Sequence, residues 1–84
     1  MESENIEELI KIIPMHKVYS NNLLAMGYNE EKRVMRVIFK NKSSYLYFNV
    51  EPEIWDIISK AQSSGKALNE NIVKHKEKYK YIKL

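Results

Sequence analysis

At 84 residues and 10.0 kDa the chain has the length of one small domain, which excludes a multidomain enzyme. Its 44% hydrophobic and 30% charged residues exclude a disordered or low-complexity chain, and the absence of cysteine excludes disulfide staples and thiolate metal sites. The formal charge of +3 permits nucleic-acid contact without demonstrating it.

Ile6, Leu9, Ile10 and Ile13 recur at helical spacing, so residues Ser3 to Ile13 are predicted to form an amphipathic helix. Ser3 can cap its first turn, Glu4, Glu7 and Glu8 suit its positive end, and Pro14 stops it. Beyond Pro14, Val18 and Tyr19 read as extended, Ser20-Asn21-Asn22 as a bend, and Leu23 to Tyr28 as a strand whose helical alternative is weakened by Gly27. Asn29 to Lys32 is a polar turn. Arg33 to Phe39 is rich in the β-branched and apolar residues that suit a central strand. Lys40 to Ser44 contains no apolar residue, so the Tyr45-Leu46-Tyr47-Phe48 strand after it should close an antiparallel hairpin, with Tyr45 and Tyr47 on one face and Leu46 and Phe48 on the other.

Pro52, flanked by Glu51 and Glu53, opens a helix with an apolar stripe of Ile54, Ile57, Ile58 and Ala61. Gly65, in Ser63-Ser64-Gly65, is expected to end it in a left-handed cap. Asn69 can cap a second short helix carrying Ile72 and Val73, and the alternating tail Tyr79 to Leu84 reads as an edge strand. The fold class that follows is α+β, with an antiparallel meander of about three strands and helices packed on it. Both faces of the central strand look partly apolar, so helices on both sides of the sheet are expected. Residues 1–18 read as an amphipathic helical extension and 19–84 as the main domain.

The ordered set Ser20, Gly27-Tyr28, Phe39-x-Asn41, Tyr45-x-Tyr47, Asn49-Val50, Ala61-x-Ser63-x-Gly65 and Asn69-x-x-Ile72 resembles the KTSC domain. This family is named for the C-terminus of some lysyl-tRNA synthetases and also occurs as small stand-alone proteins of bacteria and phages. The resemblance implies a small α+β domain and suggests RNA as a ligand. The chain departs from the family pattern in three places. Lys42 follows Asn41 where relatives carry Gly, which favours a wider hairpin loop over a two-residue type I′ turn. Glu51 intervenes before Pro52, and Ala67-Leu68 stands where relatives often have an aromatic pair.

Two functions from different classes fit these residues. In the first, a non-catalytic module binds RNA: Tyr45 and Tyr47 stack on bases, while Lys40, Lys42, Lys74, Lys76, Lys78 and Lys80 neutralise phosphates. Charge segregation supports it, since residues 66–84 carry six lysines against Glu70 and Glu77, and residues 1–13 carry four glutamates against Lys11. The same lysines can instead be a solvated, solubilising face, and the same tyrosines plain sheet packing. In the second, the chain is a protein-interaction module, such as a phage-type regulator of a host protein, using Trp55, Ile6 and Ile10. No catalytic residues, metal or cofactor are expected. His16 and His75 lack metal-ligand spacing, and Ser63-Ser64-Gly65 is not a nucleophile elbow. The acidic start and short apolar runs point to a cytoplasmic monomer with no membrane segment.

Overall fold

The computed structural model describes residues 5–75 and 77–84. Helix α1 spans Ile6–Lys11, and its N-cap is Asn5, whose Oδ1 accepts the Glu7 N–H at 2.8 Å. The expected cap Ser3 lies outside the described residues. Among those residues the chain forms a five-stranded antiparallel sheet in the order β1-β2-β3-β4-β5: Met15–Lys17, Leu23–Asn29, Val34–Phe39, Ser44–Tyr47 and Tyr81–Lys83. The α+β class and the meander hold, but an expectation of about three strands understates the sheet. Its two edges, β1 and β5, are three residues each, shorter than a period-2 pattern needs to declare itself. Val18 and Tyr19 fall just beyond β1, and the tail closes on β4 as an edge strand.

Polar side chains and unusual backbone angles set the turns. Asn29 ends β2, where its Oδ1 accepts the Lys32 N–H at 2.8 Å and its Nδ2 donates to the Ile12 carbonyl at 2.9 Å, tying this turn to the end of α1. Between β3 and β4 the Lys42 N–H donates to the Phe39 carbonyl and the Phe39 N–H to Ser43, enclosing three residues with Lys42 at φ 74°. This is the type I turn plus left-handed residue of a three-residue hairpin, the wider loop that was expected, although its left-handed position 42 is one that glycine would fill with less strain. Asn41 Oδ1 braces it by accepting the Ser43 N–H at 3.0 Å and the Ser43 hydroxyl at 2.6 Å.

Alternation along β3 and β4 gives the sheet two apolar faces, and each is covered. On one face Leu9 of α1 and Ile13 just beyond the helix pack with Val34 and Leu46, with Ile6, Met15 and Phe48 at the margin. On the other, Leu23, Met26, Tyr28, Met35, Val37 and Tyr47 form a larger core with Ile58, Leu68, Ile72 and Tyr79. Gly27 lies on the α1 side, where the Pro14 backbone crosses so closely that an added Cβ would stand 2.9 Å from the Pro14 carbonyl carbon and nearer still to its oxygen. Residues 15–17 pair with 25–27, so the N-terminal segment and the rest share one sheet.

Helix α2 spans Pro52–Lys60 and buries Ile58, with Ile54 and Trp55 packed on the core. Here the expected stripe is corrected: Ile57 is 51% exposed, because the helix is rotated to stack the Trp55 indole on Tyr28, ring centroids 5.4 Å apart and planes 14° apart. Large aromatic surface outbids an aliphatic one at the same helix edge. Ala61 is the C-cap of α2 and packs on the core with Ile54, as the stripe implies. Gly65 does not provide a left-handed cap, since none of the described glycines has positive φ. It sits inside helix α3, Ser64–Leu68, which Ser63 caps through its hydroxyl on the Lys66 N–H. What requires glycine there is space: a Cβ would lie 2.5 Å from Asn22 Oδ1 and 3.2 Å from Ser20 Oγ. The second helix thus begins five residues before the expected cap Asn69, which instead opens a π-helical turn, Asn69–Val73, continuous with α3.

Candidate functional site

The helices cover the large-core face unevenly. Trp55 of α2 seals it over Tyr28 of β2, while across β4 and β5 the sheet presents mainly rings. Strand register places Tyr47 opposite Tyr81 and Tyr45 opposite Lys83, and places Val37 of β3 beside Tyr45, all on one face. The Tyr45 and Tyr47 rings lie 6.2 Å apart at 25°. Tyr81 closes the triangle at 5.9 and 5.8 Å from them, and Phe39 meets Tyr45 edge-on at 5.7 Å. These spacings are those of mutually packed aromatic pairs.

A groove of about 320 Å³ runs along this platform. Its sheet side is Phe39, Tyr45, Tyr47 and Tyr81; Ile72 and Val73 of the π-turn and Tyr79 form the remainder, and Asn41 and Ser43 stand at the hairpin end. Exposure divides the rings into two roles. Tyr47 is only 7% exposed and forms part of the floor, Tyr45 is half-buried, and Tyr81 is 46% exposed. The Tyr47 phenol is pushed above its ordinary pKa, first by burial and then by the neighbouring Tyr45 and Tyr81. It is therefore a neutral hydroxyl that adds no negative charge to the groove.

The lysines flank this groove along the chain. Lys40 and Lys42 stand on either side of the groove residue Asn41, Lys74 follows Val73, and Lys80 lies between Tyr79 and Tyr81; all four are exposed. Lys76 lies outside the described residues. Lys78 is already engaged: its Nζ is 3.2 Å from Glu51 Oε2 and 5.2 Å from the Tyr79 ring centre. Glu51 also accepts the Tyr79 hydroxyl at 2.8 Å. Tyr79, foremost, and then Lys78 hold the Glu51 carboxyl below its ordinary pKa, and Glu51 in turn raises that of Lys78. This latch fastens the C-terminal segment to the start of α2, and it uses the extra acidic residue that precedes Pro52.

Tyr45 and Tyr47 come together as their alternation implies. Tyr81, Phe39, Asn41 and Lys83 are groove or platform residues that sequence reasoning missed. The one available signal was the alternation of Tyr79, Tyr81 and Lys83 in the tail, which does not disclose that β5 docks beside β4. The residues of the protein-interaction reading lie elsewhere. Trp55 is half-buried against Tyr28, Ile6 packs at the margin of the α1-side cluster, and Ile10 is half-buried on α1. His16 and His75 are exposed, on β1 and just after the π-turn. Among the described residues no three His, Cys, Asp or Glu side chains group as a metal site, and no helix is long and apolar enough to cross a membrane.

Comparison with known proteins matches the KTSC domain to residues 19–81. A curated protein of Tsukamurella paurometabola is 35% identical over 55 residues, which cover 66% of this chain and 82% of that protein. The crystal structure of a KTSC domain protein from Yersinia pestis shares the fold, with a TM-score of 0.76 at 24% identity, covering 86% of this chain and 97% of the other.

Proposed function

The chain belongs to the KTSC domain family, and from that premise we propose that it is a monomeric, cytoplasmic, non-catalytic module that binds RNA along the β4–β5 aromatic groove. The observation that carries this reading is convergence. Rings from Phe39 and Tyr45 of one hairpin and from Tyr81 of the distant C-terminal strand line one groove whose flanking positions are lysines. Aromatic faces accept any base, each stack being worth about 1–3 kcal/mol, and lysines along the backbone path add an electrostatic contribution. Lysine supplies point charges rather than the planar fork that reads guanine, so the recognition is tolerant of sequence.

Within this reading the roles differ from residue to residue. Tyr45 and Tyr81 contact bases, and Tyr47 holds them in place from below. Lys40, Lys42, Lys74 and Lys80 neutralise phosphates, joined by Lys83 beside Tyr45. Lys78 contributes little while Glu51 holds it. The protein-interaction alternative draws less support, because Trp55 and Ile6 already have partners within the chain.

The test is the salt dependence of binding to a labelled single-stranded RNA of about 12 nucleotides, followed by fluorescence anisotropy between about 50 and 200 mM salt. Wild-type affinity should fall along a linear log–log plot. Replacing Lys40, Lys42, Lys74 and Lys80 together by Gln should flatten that slope by up to about 3. A slope unchanged by the four substitutions would refute the lysine assignment, and absence of binding at the lowest salt would refute the RNA reading itself.

A further inference from the structure

The groove has two unlike sides, which narrows what can enter it. The sheet side is aromatic, with the Tyr45 and Tyr47 rings close to parallel and Tyr81 tilted beside them. The π-turn contributes branched aliphatic surface from the half-buried Val73, while Ile72 is buried in the core. At the hairpin end, Asn41 spends its Oδ1 on the Ser43 N–H and hydroxyl, which leaves the Nδ2 hydrogens as the amide's remaining donors. A planar ring with acceptors on its edge matches all three features: apolar faces for the two sides and a polar rim for the amide.

We infer that the groove receives a single unpaired nucleobase, inserted between the Tyr45–Tyr81 rings and Val73, with Asn41 Nδ2 donating to an acceptor on the base or its sugar. The ligand class is then single-stranded RNA, or an unpaired loop or bulge, and not a continuous duplex. Within a duplex each base is stacked on both faces by its neighbours, and presenting a face to the groove would require flipping it out at a cost of a few kcal/mol. At about 320 Å³ the groove is at the small end of ligand pockets, a size for one nucleoside and not for a stack of pairs.

This inference rests on the RNA-binding reading, and the experiment separates the two. Three ligands of equal length are compared by anisotropy at low salt: a single strand, the same sugar-phosphate strand made abasic, and a duplex. The single strand should bind about 5- to 150-fold more tightly than the abasic strand, the fold equivalent of one stacked base, and more tightly than the duplex. Tyr81→Thr, which keeps a strand-favouring residue at an exposed edge position, should lower affinity for the intact strand towards the abasic level and leave abasic binding unchanged. Circular dichroism verifies that each variant is folded. Asn41→Ala, which removes the Nδ2 donor together with the Oδ1 brace on Ser43, should lower affinity for the intact strand; a folded protein with unchanged affinity would overturn the amide's role. Equal affinity for intact and abasic strands would overturn base insertion while leaving backbone binding standing, as would a duplex bound as tightly as the single strand. Binding of none of the three would overturn both.

Discussion

Gly27→Ala tests how the N-terminal segment is fastened to the sheet. The added methyl group would stand 2.8 Å from Met15 Sδ and 2.9 Å from the Pro14 carbonyl carbon, with the Pro14 oxygen closer still. The sulfur could swing away, but the Pro14 backbone cannot do so without unzipping Met15–Lys17 from Ala25–Gly27. Overpacking typically costs about 1–3 kcal/mol, and contact with backbone puts this case at the upper end. Removing a strand glycine returns about 0.5–1 kcal/mol, which leaves a net loss of about 2–2.5 kcal/mol from the upper end of that range. Against a total of roughly 4–13 kcal/mol for a chain of this size, this should lower the melting temperature by about 8–20 °C. Thermal and urea unfolding followed by circular dichroism give both quantities. Gly65→Ala is the milder comparison, because its nearest obstacles are the Asn22 and Ser20 side chains rather than backbone: moving Asn22 costs its hydrogen bond from the Ser20 hydroxyl, and a helical alanine recovers some of that loss. A Gly27→Ala protein within about 0.5 kcal/mol of wild type would refute the close crossing of Pro14, since surface changes alone have effects of that size.

Lys42→Gly should raise stability by about 0.5–1 kcal/mol, because glycine occupies the left-handed region without the cost an L side chain pays there; a fall in melting temperature would contradict the turn assignment. Tyr28→Phe removes the hydroxyl that donates to the Val50 carbonyl and should cost about 1 kcal/mol by urea titration, with Trp55 fluorescence little changed because the ring stack remains. The Glu51 latch predicts an acid limb. A carboxyl held below its ordinary value of 4.5 contributes stability that is complete above that value and is lost as pH falls through the folded pKa. Wild type should therefore exceed Glu51→Gln at neutral pH, and the two should converge only as pH falls below the lowered pKa of the folded carboxyl; a gap independent of pH would refute the latch.

How far the residues announced the structure depends on the length of each pattern. The β3–β4 hairpin was legible because two apolar runs flank a polar loop, and the two-sided sheet was legible because Val34 and Ile38 alternate with Met35, Val37 and Phe39. β1 and the start of α3 were not, since three residues of strand and five of helix carry too little periodicity. Gly65 was misread for a physical reason: glycine serves both as a left-handed cap and as a gap-filler at close approach, and only the position of Asn22 distinguishes the two. Ile57 was misplaced because a helical stripe alone does not reveal that Tyr28 awaits the Trp55 ring. Of the site, the Tyr45–Tyr47 pair was visible, while Tyr81 and Phe39 enter the groove through strand pairing and hairpin closure that span the chain.

The central claim is that the aromatic groove is the ligand surface, and its most direct test is NMR titration of isotope-labelled protein with single-stranded RNA. The largest shifts are expected at the Tyr45 and Tyr81 rings, Asn41, Val73 and the flanking Lys40–Lys42 hairpin, with α1 and Trp55 nearly silent. Shifts centred on Trp55, Ile6 and Ile10, with the groove unperturbed, would contradict the claim.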